Sequence, residues 1–131
     1  MNHHIAPTRR AALGLGLAAL AAPALAQSPW PNRPLRFIVP FGVGGTADII
    51  ARVVAQRLAE PLGQPVAVEN RTGGGGVIGT DFVAKSPPDG TTFIIVTSTQ
   101  TANETLVPNR PYDLVRDFAP VSLLNLNHLA V

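Results

Sequence analysis

The stretch from Leu35 to Leu62 constrains the fold more than any other part of the sequence. Residues 35–39 form an apolar run that is typical of a buried strand, and a glycine-rich turn at 42–45 follows it. Beyond the turn, apolar side chains recur at three- and four-residue intervals, as on one face of an amphipathic helix; they are Ile49, Ile50, Val53, Val54, Leu58 and Leu62. The stretch therefore predicts a strand, a turn and a helix in succession.

The glycine turn predicts a site for an anion. Glycine at 42, 44 and 45 lets the backbone take a positive φ and lets a ligand approach the main chain. Thr46 or Gly45 can cap the helix, whose first N–H groups have no partner within the helix and lie at the positive end of its dipole. A strand, a glycine turn and a helix N-terminus together favour anion binding. The alternative is an ordinary tight connection between a strand and a helix.

The remaining sequence predicts an α/β fold with a parallel sheet. Apolar strands that alternate with helical segments favour such a sheet, with helices covering both faces. Gly63 followed by Pro65 predicts the end of the first helix. We expect helices at 46–62 and 77–85, a short helix that follows residue 101 and ends at 106, one helical turn at 113–117, and strands at 35–39, 66–68, 91–96, 120–124 and 129–131.

Three polar or glycine-rich loops follow the predicted strands. They are the segments 41–48, 71–76 and 97–101. The carboxyl ends of parallel strands meet at one edge of a sheet, and ligands bind there. We therefore expect these loops to converge on a single site.

Two kinds of side chain in these loops have both a structural and a functional interpretation. Asp48 lies in the first helical turn, where the helix dipole stabilises it, or else it accepts a hydrogen bond from a ligand. Ser98 and Thr99 offer hydroxyl groups that either bind a ligand or form local turn and cap bonds.

Composition argues against several classes of site and partner. The 131 residues contain no cysteine, and the histidines are His3, His4 and His128, so we expect neither disulfides nor a metal site. Lys and Arg number ten, so setting aside Arg9 and Arg10 leaves eight against eight acidic residues, and nothing favours nucleic acid. No nucleophile–base pair accompanies the glycine loops, so we expect a binding protein without catalytic residues or a cofactor, rather than an enzyme.

Residues 1–26 carry the pattern of a cleaved export signal. The basic pair Arg9-Arg10 precedes an apolar run at 11–25, and small residues lead to a cleavage site after Ala26. The run is shorter than the ~20 residues that span a bilayer. The arginine pair admits twin-arginine export, and Sec export fits equally well. We expect residues 27–131 to form the mature part, and to work in the periplasm.

A dinucleotide site is the main alternative. Residues 42–47 satisfy the pattern G-x-G-x-x-A, and Glu69 follows the second predicted strand, where such proteins bind the ribose. However, Pro40 and Phe41 separate the first strand from the glycines, and a second glycine cluster at 73–76 lies where the ribose would bind. Export also argues against an oxidoreductase of this kind, because free nicotinamide cofactor is scarce outside the cytoplasm.

Six short motifs extend along the chain from Trp30 to about Leu124. Each motif is weak alone, but their order behind an export signal is specific. They are Trp30-Pro31-x-Arg33-Pro34, Ile38-Val39-Pro40-Phe41-x-x-Gly44-Gly45-x-x-Asp48, Leu62-Gly63-Gln64-Pro65-Val66-x-Val68-Glu69-Asn70-Arg71, Gly75-Gly76-x-Ile78-Gly79, Pro88-Asp89-Gly90, and Pro111-Tyr112-Asp113-x-x-Arg116-Asp117-Phe118-x-Pro120-Val121-Ser122. The sequence thereby resembles the solute receptors of tripartite tricarboxylate transporters, also called Bug proteins.

This resemblance implies a monomeric periplasmic binding protein of type II. In that family two α/β lobes close over a small organic carboxylate, which the receptor delivers to a membrane permease. The resemblance also implies that Asp48 helps to distinguish ligands that bear amino or amide groups. The ligand-binding residues implied here are Phe41, Gly44, Gly45, Thr46, Asp48, Ser98 and Thr99.

The chain departs from the family pattern in two respects. Val43 and Thr72 stand where the family often has proline, which loosens both loops. Family members have about 300 residues, as two lobes of ordinary size require. Residues 27–131 therefore correspond to the N-terminal part of the first lobe, and a non-functional remnant is a further alternative.

Overall fold

A three-stranded parallel sheet with helices on both faces forms the core of this protein, in a computed structural model that describes residues 29–126. The strand order is β2-β1-β3, so the predicted parallel α/β fold is confirmed. The predicted export signal, His128 and the predicted strand at 129–131 lie outside the described residues. The elements are β1 (Leu35–Val39), α1 (Thr46–Leu62), β2 (Val66–Asn70), α2 (Val77–Ala84), β3 (Thr92–Ile94) and α3 (Ser98–Leu106), with a 3₁₀ turn at Gly74–Gly76 before α2.

Strand β1 is the central strand and is buried on both faces. Its sequence is apolar except for the partly exposed Arg36, which follows from this position, because a strand covered on both sides has little polar surface. Phe37 is paired with Val68 of β2 on one side and with Phe93 of β3 on the other. The strand is also bonded at both ends, by Leu35 N–H to the Pro65 carbonyl (2.9 Å) and by Ile95 N–H to the Ile38 carbonyl (3.0 Å).

The main apolar core lies between the sheet and α1. Phe37 and Val39 of β1 pack against Ala51 and Ala55 of α1, and Ile95 completes the cluster. These side chains are less than a tenth exposed. Small alanines on the helix allow it to approach the sheet closely, which places the start of α1 beside the carboxyl end of β1.

Helix α1 has the bounds that the apolar periodicity predicts. Its C-cap, Gly63, has φ +63°, and its N–H donates to the Glu60 carbonyl (3.1 Å). Glycine adopts this left-handed conformation without a Cβ clash, which explains the stop at that residue. Within residues 29–126, no helix combines the length and apolar character needed to cross a bilayer.

Three strand predictions are corrected by the structure. Strand β2 extends two residues further than predicted, to Asn70, while β3 is shorter than the predicted 91–96. Residues 120–124 form no strand, and Val121 and Leu123 are 78% and 73% exposed. A strand needs a neighbour to accept and donate its backbone hydrogen bonds, and residues 29–126 place none beside this segment.

Candidate functional site

The loop after β1, the loop after β2 and the start of α3 meet at one edge of the sheet. A Cβ atom placed on Gly76 would lie 2.5 Å from Gln100 Nε2 and 3.6 Å from Phe41 Cζ. The side-chain amide of Asn103 donates to the Gly75 carbonyl at 3.0 Å. The predicted convergence of the three segments is therefore confirmed, but the third, 97–101, is the N-cap and the start of α3 rather than a loop.

The N-terminus of α1 is open. Its N-cap is Gly45, which has no side chain to cap the helix. The Ile49 N–H bonds to the Gly45 carbonyl (3.0 Å), but in the described part of the chain the backbone N–H groups of Thr46, Ala47 and Asp48 have no acceptor. These three donors lie at the positive end of a 17-residue helix, which favours a negatively charged ligand.

The buried carboxylate of Asp48 stabilises the glycine turn through hydrogen bonds. Its side chain is only 2% exposed. The Oδ2 atom accepts hydrogen bonds from Gly44 N–H (2.9 Å) and Arg52 Nε (3.0 Å). The Oδ1 atom accepts one from Asn70 Nδ2 (3.0 Å) and lies 2.9 Å from Arg52 Nη2. A carboxylate offers about four acceptor positions, and here the protein itself fills them, so Asp48 has none free for a ligand.

These bonds keep Asp48 ionised. The hydrogen bond from Arg52, followed by that from Gly44 N–H, lowers the pKa of Asp48 to about 2. The same ion pair raises the pKa of Arg52. The negative charge of Asp48 is therefore balanced by its neighbour on the next helical turn and stabilises the turn at neutral pH.

Asn70 is a residue of this site that the sequence prediction missed. Its Nδ2 donates to the Phe41 carbonyl (3.1 Å) as well as to Asp48, and its Oδ1 accepts from Arg52 Nη2 (3.1 Å). The predicted end of β2 at residue 68 placed Asn70 in a loop. In the structure Asn70 is the last residue of β2, opposite Val39, so it joins the ends of two adjacent strands. The signal for this role is its position at the carboxyl end of a strand beside β1.

A second ionic cluster fixes the direction of the loop at 71–76. Glu69 accepts from Arg36 Nε and Nη2 (2.6 and 2.8 Å) and from Arg71 Nη2 (3.3 Å). The Arg36 contact lowers the pKa of Glu69. The Arg71 guanidinium lies 3.7 Å from the centre of the Phe82 ring. Glu69 is therefore occupied by two arginines, which removes the acidic group that a dinucleotide ribose would need.

The start of α3 presents hydroxyl groups at the surface and an amide in the interior. Ser98 and Thr99 are exposed, and Thr97 is the N-cap. Gln100 is fully buried, and its Oε1 accepts from both the N–H and the hydroxyl of Thr97 (2.8 Å each). Within residues 29–126 its Nε2 has no hydrogen-bond partner. The sequence prediction named the two exposed hydroxyls and missed this buried donor.

The site offers hydrogen-bond donors rather than reactive groups. The described residues contain no group of three or more His, Asp and Glu side chains that could hold a metal ion. The donors are main-chain N–H groups at the start of α1, whereas the unpaired Gln100 amide of α3 is buried against Gly76. Such an arrangement can bind a carboxylate through charge-assisted hydrogen bonds.

A family model and curated relatives point to the same family. Residues 50–131 match the tripartite tricarboxylate transporter family receptor, TctC. The chain is 46% identical to Protein BugT of Bordetella pertussis over 112 residues, which is 84% of this chain and 34% of BugT. The chain spans about a third of the length of the curated relatives that it matches.

Solved structures agree with this sequence match. MatC from Rhodopseudomonas palustris with bound malate superimposes with a TM-score of 0.69 at 40% identity, over 72% of this chain and 33% of MatC. A protein described as a periplasmic transporter superimposes with a TM-score of 0.61 at 44% identity, over 64% of this chain and 29% of its own. Because the family match covers more than half of the chain, and the fold superimposes on these structures, the chain belongs to the tripartite tricarboxylate transporter receptor family.

Proposed function

We propose that this protein is a periplasmic receptor that binds a small organic carboxylate and delivers it to the permease of a tripartite tricarboxylate transporter. The observation that carries this proposal is the open N-terminus of α1, with unpaired N–H groups where three loops meet. Bound malate in the related MatC structure supports a carboxylate as the ligand. The expected export signal at 1–26 supports a periplasmic location.

In this proposal the main chain holds one carboxylate of the ligand. The N–H groups of Thr46 and Ala47 donate to it, and Gly44 and Gly45 leave room for it to approach. The Gly44 backbone has φ +82°, which a residue with a Cβ rarely adopts. Phe41 covers one side of the site.

Other predicted site residues take different roles. Ser98 and Thr99 face the ligand from the exposed start of α3. Asp48 acts through the loop, by holding Gly44 and Asn70, rather than by touching the ligand. The protein acts as a monomer without a cofactor, and lobe closure rather than chemistry presents the ligand to the permease.

The test removes one main-chain donor without breaking the helix. Thr46 is the first residue of α1, where proline is favoured, and the preceding Gly45 has φ −73° and ψ 164°, which suits a residue before proline. Thr46→Pro therefore deletes a single N–H, whereas Thr46→Ala keeps it. A hydrogen bond to a charged group contributes about 1.5–3 kcal/mol, so we expect Thr46→Pro to weaken binding by about tenfold or more.

The measurement is isothermal titration calorimetry of the protein expressed from its own gene, with a panel of organic acids. We expect the wild type and Thr46→Ala to bind the same acid with similar affinity. Absence of binding to every acid in the panel would contradict the receptor function. Equal affinity of Thr46→Pro and Thr46→Ala would contradict the role of the α1 N-terminus.

A further inference from the structure

Two of the six sequence motifs meet at the edge of the sheet where β1 and β3 begin. Arg33 lies two residues before β1, and Asp89 lies three residues before β3. The Arg33 Nη2 atom donates to Oδ2 of Asp89 and, at 2.9 Å, to the hydroxyl oxygen of Thr91. The three segments of the candidate site lie at the opposite edge, so the proposed function assigns these two motifs no role.

We propose that Asp89-Gly90 is a site of spontaneous isoaspartate formation, and that the segment at 30–34 suppresses this modification in the folded protein. It is the only Asp-Gly sequence in the chain, which contains no Asn-Gly sequence. Aspartate followed by glycine isomerises most readily, because glycine has no side chain to hinder attack by its own amide nitrogen. This reactivity is independent of ligand binding.

The modification needs no reactant other than water. The amide nitrogen of Gly90 bonds to the side-chain carboxyl carbon, Cγ, of Asp89 and loses its proton, while the carboxyl group loses its OH. One water molecule is thereby released and a succinimide ring forms. Water then opens the ring at the former main-chain carbonyl carbon, which leaves isoaspartate. The mass of the protein is unchanged, but the backbone now runs through the Cβ and Cγ atoms of Asp89.

Both oxygens of the Asp89 carboxylate are held in hydrogen bonds. Oδ1 accepts from the N–H of Thr91 (3.0 Å) and from its hydroxyl group (2.6 Å), and Oδ2 accepts from Arg33. The bonds from Thr91, followed by the bond from Arg33, lower the pKa of Asp89. The ring closes from the protonated carboxyl group, since OH is the leaving group. The bonds therefore reduce the amount of the reactive form and also prevent the carboxyl group from turning toward Gly90.

The indole ring of Trp30 packs against the other reacting residue. A Cβ atom placed on Gly90 would lie 3.3 Å from Trp30 Nε1 and 3.5 Å from its Cε2 and Cζ2 atoms. Rotation of the peptide unit between Asp89 and Gly90, which ring closure requires, must therefore displace the indole. The Asp89 side chain is nevertheless 39% exposed, so water reaches the turn once the segment at 30–34 moves away.

Isomerisation at this position disturbs the start of β3. The Thr91 carbonyl accepts the N–H of Arg36 at 2.8 Å, next to the first residue pair of the β1–β3 ladder. The additional backbone atom displaces the carboxylate of residue 89 from Thr91 and Arg33. The modification therefore removes the bonds that hold the turn before β3 and leaves one edge of the sheet less stable.

The test measures isoaspartate at residue 89 by peptide mapping and mass spectrometry, after incubation of the protein, expressed from its own gene, near neutral pH. We expect Arg33→Gln to form isoaspartate at least about threefold faster than the wild type, because the turn opens more often without its ion pair. Trp30→Leu should also accelerate the reaction. The matched control is Arg57→Gln, since Arg57 is exposed on α1 and makes no ion pair within residues 29–126.

Asn70→Ala separates local protection from global stability. Asn70 lies at the opposite edge of the sheet, so its loss favours unfolding without touching Asp89, and the rate should stay near that of the wild type. Equal rates in Arg33→Gln and Arg57→Gln, or equal acceleration by Asn70→Ala, would overturn the protective role of the segment at 30–34. Absence of isoaspartate at residue 89 in wild-type protein kept unfolded in denaturant would overturn the assignment of the site itself.

Discussion

The Nδ2 atom of Asn70 lies 3.0 Å from Oδ1 of Asp48, and this hydrogen bond joins the end of β2 to the first turn of α1. The same nitrogen donates to the Phe41 carbonyl at 3.1 Å. One side chain therefore holds both ends of the glycine loop between β1 and α1. Between Phe41 and α1 the loop consists of three glycines and Val43, which is 75% exposed, so the conformation of this part depends on polar bonds.

Asn70→Ala should destabilise the protein by about 1–3 kcal/mol, because it removes the side-chain donor to the Phe41 carbonyl and one of the donors to the buried Asp48 carboxylate. Chemical denaturation followed by circular dichroism measures this difference. Asn109→Ala is the matched control, since Asn109 is exposed, and a change within about 0.5 kcal/mol is expected there. Equal stabilities of the two variants would show that Asn70 does not hold the loop.

The pKa of Asp48 predicts an acid-sensitive contribution to stability. Its pKa falls from 3.8 to about 2 in the folded protein, so the unfolded chain binds more protons between these values. The contribution is fully present above pH 3.8 and is lost as the pH falls toward 2. Unfolding free energies measured from pH 5 to pH 2 should therefore fall less steeply for Asp48→Asn than for the wild type.

Other carboxylates with lowered pKa values, such as Glu69 and Asp117, remain in both proteins of this comparison. Their contribution makes both curves fall with acid, so the difference between the slopes is the informative quantity. Identical slopes below pH 4 would contradict the assignment of the low pKa to Asp48.

The close approach of the second glycine loop to α3 can be tested at Gly76. A Cβ atom there would lie 2.5 Å from Gln100 Nε2, and the backbone has φ +92°. Gly75 has φ +63° but no atom within 4 Å of its Cβ position. We expect Gly75→Ala to cost about 1–2 kcal/mol from backbone strain alone, and Gly76→Ala to cost a further 1–3 kcal/mol or so from the clash.

Thermal or chemical unfolding of the two alanine variants provides the comparison. The difference between them measures the packing of Gly76 against α3, because both carry the strain of a positive φ. Similar losses of stability in the two variants would mean that the loop and the helix are not in contact in solution.

Local patterns were sufficient to predict the first half of the fold. The apolar run at Leu35–Val39, the helical periodicity that follows and the stop at Gly63 are properties of neighbouring residues, and the structure confirms all three. The convergence of the loops was also predictable, because parallel strands place their carboxyl ends at one edge. The six motifs indicated the family, because their identity and order are properties of the sequence alone.

The roles of individual polar side chains depend on distant partners. Asn70 meets Phe41 and Asp48 through the register of β1 and β2, and Gln100 meets Gly76 through the packing of α3. Residues 120–124 have a strand-like composition but form no strand beside the described sheet. Propensity is local, whereas hydrogen-bond partners and burial are assigned by contacts between remote segments. For this reason Asp48, for which the sequence left a structural role and a ligand contact both open, is in the folded chain the buried centre of its own loop.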